Sequence, residues 1–213
     1  KPRAIAAGDT VWIEEMTFFE VRDALSTGKA TTALILTGGV EQNGPYLATG
    51  KHNYVLRGTG EAIARKLGNA LVAPIVTLEP GDPNNVQEPG SVYLSDATYR
   101  AVLSDMANSL RSQGFKHVVF MGDSGGNQDG MKAVTDSLPA AWKGKGAFAH
   151  FIPEYYNNAD TRKFVQSQGI PEKLNSDNIH DEYFITAEMM AFDPKTVRLA
   201  ERMKANKTTI NGI

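Results

Sequence analysis

Apolar residues recur along this chain in two alternating rhythms, and the alternation predicts most of its elements. Continuous apolar runs bounded by glycine or proline read as buried strands: Ala33-Leu34-Ile35-Leu36-Thr37, Ala70 to Leu78, His117-Val118-Val119-Phe120-Met121 and Ala147 to Ile152. Between them lie helical patterns. Thr17 followed by Glu20 is a capping-box signature for a helix through about Ser26 that Gly28 ends. A second helix is predicted from His52 to Leu67 with Gly68 as its stop, and a third from Ser95 or Asp96 to Gly114 with Tyr99, Val102, Leu103, Met106 and Leu110 at helical spacing. Further helical patterns cover Asn127 to Trp142, residues 159 to 168, and Ile185 to Phe192. Residues 1 to 16 read as an irregular lead-in. Residues 79 to 94, rich in proline and glycine, read as a long loop that forms one wall of a pocket.

Strands that alternate with helices predict an α/β fold with a mainly parallel central sheet. With no repeat, low-complexity segment or linker, residues 1–213 are expected to form one domain. In such sheets ligands bind outside the carboxyl ends of the strands. Two polar loops leave strands at that edge: Glu41-Gln42-Asn43-Gly44-Pro45, after the first strand, and Gly122-Asp123-Ser124-Gly125-Gly126-Asn127, after the third. A third polar cluster, Asp177 to Glu182, precedes the last helix.

Composition narrows the chemistry those loops can carry. The 22 basic and 24 acidic residues give a formal charge of -2, so no electrostatic footprint for nucleic acid or an anionic membrane is present, and a small molecule is the expected partner. The absence of cysteine excludes disulfides and thiolate chemistry. Any metal must therefore be held by His, Asp, Glu or Asn. No apolar segment is long enough to span a bilayer. A start at Lys1 suggests that an upstream segment has been removed, and the end at Ile213 suggests that a C-terminal piece is missing.

Glu41, His52 and Asp123 converge at one sheet edge in this reading and are a candidate set for a divalent ion, zinc, manganese or iron, that would generate a nucleophilic water. A solvent-exposed His52 at a helix start is the plainer alternative. His180 is a candidate ligand, general base or member of a surface polar cluster, while His117 and His150 are expected to be structural. Glu182 and Asp181 are candidates for moving protons. The amides of Gly125 and Gly126 are candidates for an oxyanion hole, with Asn43 and Asn127 as further substrate contacts. The segment Gly122-Asp123-Ser124 with Asp177-x-x-His180 also resembles the Ser and Asp/His blocks of SGNH (GDSL-type) hydrolases. In that alternative Ser124 attacks, His180 takes its proton and Asp177 orients the imidazole.

Taken in order, Glu41-Gln42-x-Gly44-Pro45, Pro89-Gly90-Ser91, the strand before Gly125-Gly126-Asn127, and His180 followed by a Thr186-bearing helix and Asp193-Pro194-x-x-Val197 resemble the creatininase (creatinine amidohydrolase) family over most of the chain. The resemblance implies a three-layer α/β/α fold, assembly into hexamers, and hydrolysis of a linear or cyclic amide C–N bond at a one- or two-metal site. The family's ligand pattern is altered here. Its Glu-x-His is Glu41-x-Asn43, its following Asp is His52, its loop His is Ser124, and the Glu after His180 is Tyr183. The expectation is therefore a rebuilt site with one ion rather than two, held by Glu41, His52, Asp123 and His180, or a site without metal. A non-catalytic homologue that binds a small molecule is the further alternative. Relatives with the Glu-Gln-Asn-Gly-Pro version often carry export signals, which favours a periplasmic or secreted protein.

Overall fold

A computed structural model describes residues 8–170, 180 and 182–204. The strands are β1 (Thr32–Thr37), β2 (Ala70–Val72), β3 (Glu79–Pro80), β4 (Tyr93–Leu94), β5 (His117–Gly122) and β6 (Phe148–Phe151). The helices are α1 (Phe18–Ser26), α2 (Lys51–Leu67), α3 (Asp96–Gln113), α4 (Asn127–Ala141), α5 (Ala159–Ser167), α6 (Tyr183–Phe192) and α7 (Leu199–Lys204). Four strands form one sheet in the order β2-β1-β5-β6, and every pairing in it is parallel. A separate parallel pair, β3 and β4, flanks the carboxyl edge.

The all-apolar character of β1 follows from its central position, because both faces of this strand are covered. Ala33 and Ile35 face a cluster built with Tyr99, Leu103 and Leu110 of α3 and Met131 and Leu138 of α4. Leu34 and Leu36 face the opposite cluster, with Leu56 and Ala64 of α2 and Trp12 of the lead-in. Helices thus pack on both faces of the sheet, giving three layers. Each fully buried Leu or Ile contributes roughly 1.5–3 kcal/mol relative to exposure, so the central strand is a main source of stability.

Local signals set the helix ends. Glu20 accepts the backbone N–H of Thr17 at 2.7 Å, completing the capping box of α1. Ser95 Oγ accepts from Thr98 N at the start of α3, and Gly68 and Gly114 end α2 and α3 in the left-handed region at φ 74 and 112°. The second strand is shorter than its apolar run predicts. It stops at Val72 because Pro74 has no N–H to donate to a ladder, and Val76 returns to the sheet only as an isolated bridge to Thr37. Leu67, in the last turn of α2, is 53% exposed. The 79–94 segment is largely irregular but contributes β3 and β4. A third cluster, Val55 with Val165, Phe184, Ile185 and Met189, fixes α5 and α6 against α2 beside the carboxyl edge.

Candidate active site

Both loops singled out in the sequence leave the sheet from neighbouring strand ends, since Thr37 of β1 is in register with Gly122 of β5. The chain then passes from β1 through Glu41 to the first turn of α2, and from β5 directly through Asp123 and Ser124 into α4. A cavity of about 750 Å³ opens above these ends. Its polar floor is formed by Glu41, Lys51, His52, Glu79, Asp123 and Ser124.

His52 organises the floor. Its Nδ1–H donates to Asp123 Oδ2 and its Nε2–H donates to Glu41 Oε1, each at 2.8 Å. With both carboxylates ionised, the two bonds are satisfied together only by the doubly protonated ring, an imidazolium bridging Glu41 and Asp123. Burial alone would lower its pKa, but the hydrogen bonds to Asp123 and Glu41 override that and raise it. Burial likewise works against ionisation of Glu41, yet bonds from His180 and His52 and the charges of His52 and Lys51 hold it well below the usual carboxylate range. The alternative of a solvent-exposed His52 is not what the structure contains, because its ring is buried.

Two neighbours complete the network. Lys51 is buried, with Nζ 3.7 Å from Glu41 Oε1, and burial lowers its pKa while Glu41 and Asp123 oppose the change. Nζ also donates to the backbone carbonyl of His180 at 3.2 Å. His180 has φ 59°, the only described residue other than glycine in the left-handed region, and its Nδ1 lies 3.2 Å from Glu41 Oε1. That bond raises its pKa, with burial opposing. Tyr155 O–H lies 3.3 Å from Asp123 Oδ1 and 2.7 Å from Thr59 Oγ1, so a wall of the cavity is tied to the same network.

The sequence-predicted residues divide clearly. Glu41, His52, Asp123 and His180 are brought together. Ser124, Gly125 and Gly126 line the cavity beside them. Asn127 and Asn43 do not face it. Asn127 is fully buried and donates Nδ2–H to Gly38 O at 3.0 Å while its Oδ1 accepts Ser124 N–H at 3.1 Å. Asn43 is 1% exposed and donates to the carbonyls of Glu41, Ala48 and Thr49 at 3.1 Å. Both asparagines hold loop backbone in place of the substrate contacts expected of them. Glu182 lines the cavity, where both of its carboxylate oxygens accept from Arg162 Nη2 at 3.0 and 2.9 Å in an ion pair. Asp181 and Asp177 lie outside the described residues. The serine-hydrolase pairing is altered as well, since Ser124 donates to Glu79 while His180 bonds Glu41. His117 Nδ1 and His150 Nε2 lie 3.0 Å apart on β5 and β6, away from the cavity floor.

Sequence reasoning missed Lys51, Glu79 and Glu188. Glu188, on α6, faces the cavity, and burial together with the nearby Asp123 charge pushes its carboxyl up to about 7. Between the ordinary carboxylate value and about 7 the unfolded chain releases this proton while the folded chain keeps it. Stability therefore falls as pH rises through that window. Glu188→Gln is expected to raise the melting temperature above the parent by about 2–4 °C at pH 8, a gain on the order of 1 kcal/mol after discounting for partial exposure, and by much less at pH 5. An equal gain at both pH values in calorimetric scans contradicts this assignment.

Among the described residues, no group of three or more His, Asp or Glu side chains is arranged to hold a metal ion. No described helix is long and apolar enough to cross a membrane.

The sequence pattern of the creatininase (creatinine amidohydrolase) family matches residues 14–212. No curated protein matches the chain in sequence. Among solved structures, a manganese form of creatininase superposes over 90% of this chain and 76% of its own, with TM-score 0.71 and 19% identity. A Zn–Zn form of a creatininase variant covers 91% of this chain and 76% of its own, with TM-score 0.68 and 19% identity. A proposed creatinine amidohydrolase from Bacteroides fragilis NCTC 9343 covers 91% of this chain and 72% of its own, with TM-score 0.66 and 20% identity.

Proposed function

Because the chain belongs to the creatininase family, we propose that it hydrolyses the C–N bond of a small linear or cyclic amide, with internal cations in place of a catalytic metal. One observation carries the second half of this reading: the His52 imidazolium occupies the space between Glu41 and Asp123.

A divalent metal is present in the manganese and zinc creatininase forms that share this fold. The donor set of this chain does not fit one. Two donors on a common tetrahedral ion, each bound at about 2.0–2.1 Å, lie about 3.3–3.4 Å apart. The His52 nitrogens instead meet their carboxylates at 2.8 Å, the length of a charge-assisted hydrogen bond, so neither ring nitrogen offers a free lone pair. The Lys51 ammonium adds a second positive charge next to Glu41. Two fixed cations, His52 and Lys51, thus face the carboxylates of Glu41 and Asp123, and the cluster is charge-compensated by its own side chains.

Such a floor favours the transition state of amide hydrolysis. A carbonyl carbon under attack places negative charge on its oxygen, and the polar glycine loop at Gly125 and Gly126 lines the cavity in which that oxygen would sit. The leaving nitrogen needs a proton. Glu188, whose carboxyl holds its proton until about pH 7, faces the same cavity and is suited to give it. Tyr155 and the Arg162–Glu182 pair form walls that restrict the substrate to small-molecule size.

Incubating the protein with a panel of primary amides, lactams and cyclic ureas, and following carboxylate and amine products by mass spectrometry, is expected to reveal turnover of at least one cyclic or linear amide. Ligands that raise the melting temperature yet stay chemically unchanged across the whole panel contradict the reading and indicate a binding protein.

A further inference from the structure

Glu79 lies in a slot made for its carboxyl group. A Cβ at Gly39 would sit 2.9 Å from its Cδ, and one at Gly126 would sit 3.2 Å from Oε2, so the two glycines on either side leave room for this side chain alone. Glu79 is 4% exposed and nevertheless lines the cavity. The Ser124 hydroxyl donates to its Oε2 in a very short contact. Oε1 is buried with no hydrogen-bond partner among the described residues. A buried acceptor left without a donor is costly, and a contact with only a structural purpose would not be expected to retain it.

Ser124 is held equally firmly. Its N–H is bound by Asn127 Oδ1, and the Gly126 N–H donates to its Oγ at 3.3 Å, fixing the hydroxyl on the turn between β5 and α4 with the cavity in front of it. Strand, sharp turn and helix in this order expose a hydroxyl beside backbone amides, and a base within hydrogen-bond reach supplies the remaining requirement for a covalent nucleophile.

We propose that Ser124 is the nucleophile of this site and Glu79 its general base, so that amide hydrolysis proceeds through an ester on Ser124. The inference rests on the amide-hydrolase reading above. Glu79 takes the hydroxyl proton as Oγ bonds to the carbonyl carbon. The C–N bond then breaks and the amine leaves with the proton that Glu79 hands on, directly or through Glu188, so Glu79 is ionised again. Water attacks the resulting ester, Glu79 takes a proton from that water, and Ser124 departs as the restored hydroxyl. The sum is amide plus water to carboxylic acid plus amine.

The test is reaction of the whole protein with a fluorophosphonate probe, read by intact mass and peptide mapping. Expected are one adduct on Ser124, no adduct in Ser124→Ala, and labelling about a hundredfold slower in Glu79→Gln at an unchanged fold. Because Ser124→Ala strips Glu79 of its hydroxyl partner, Ser124→Cys provides a second check: it introduces the one thiol in a chain without cysteine, and iodoacetamide should alkylate it, more slowly once Glu79→Gln is added. No adduct on Ser124, an inert thiol at that position, or labelling undiminished by Glu79→Gln overturns the proposal. Amide hydrolysis that persists at the parent rate in Ser124→Ala overturns it while leaving the amide-hydrolase reading intact. Labelling of Ser124 without turnover of any amide supports the nucleophile pair and removes that reading.

Discussion

Replacing His52 with alanine is expected to lower stability by about 3–5 kcal/mol and to abolish turnover, because the change removes the cation from between two buried carboxylates. Glu41 and Asp123 keep only 15% and 12% of their side-chain surface in solvent, so water cannot take over the lost hydrogen bonds. In a chain of this size such a loss corresponds to a fall of about 6–20 °C in melting temperature. The deficit depends on pH in a defined direction. A His whose folded pKa is raised contributes its full stabilisation below the ordinary value of 6.5 and loses it as pH rises through the raised one. Glu41 acts oppositely: its stabilisation is present above the ordinary 4.5 and is lost as pH falls through its depressed value. The difference between parent and His52→Ala should therefore be largest between these limits and shrink toward both extremes. Denaturant unfolding curves measure it, and a loss below about 1 kcal/mol at pH 6 would show that the imidazolium bridge is not what holds the floor together.

The second large effect is expected at Asn127, which does not line the cavity. Its amide joins the ends of β1 and β5 by binding Gly38 O and Ser124 N–H at a fully buried position. Asn127→Ala leaves a buried carbonyl and a buried N–H without partners, at about 1–3 kcal/mol each, and loosens the turn that carries Ser124. The predicted result is a melting temperature lower by about 4–24 °C together with reduced kcat. A variant with normal stability and only a raised KM would instead place Asn127 in the substrate contact that the sequence first suggested.

Most of the fold is legible in the sequence because its elements obey period and punctuation. β1 reads as a fully apolar run because it is covered on both faces, and α3 shows the spacing of Tyr99, Leu103 and Leu110 because one face meets the sheet. The convergence of Glu41, His52 and Asp123 is legible for a related reason: parallel strands deliver their following loops to one edge.

What was not legible depends on contacts between distant segments. Glu79 belongs to a two-residue strand inside a stretch dominated by proline and glycine, and nothing local marks it as the partner of Ser124. Lys51 reads as an ordinary polar residue in the first turn of a helix, and only the packing of α2 buries it. Asn43 and Asn127 lie in glycine loops that look ligand-facing, whereas their amides are spent on backbone groups. Most consequential is His52. Its residue type and position suit a metal ligand as well as an ion-pair bridge, and the choice between them lies in what each ring nitrogen touches.

That choice is tested most directly by measuring metal content and amide turnover on the same sample, purified without chelators and then dialysed exhaustively against one. The internal-cation site predicts less than about a tenth of an equivalent of manganese, zinc or iron per chain, an order-of-magnitude bound for an ion that must be present at every turnover, with turnover unchanged by dialysis. About one equivalent of metal per chain, and turnover lost with it and restored by adding it back, would contradict the account.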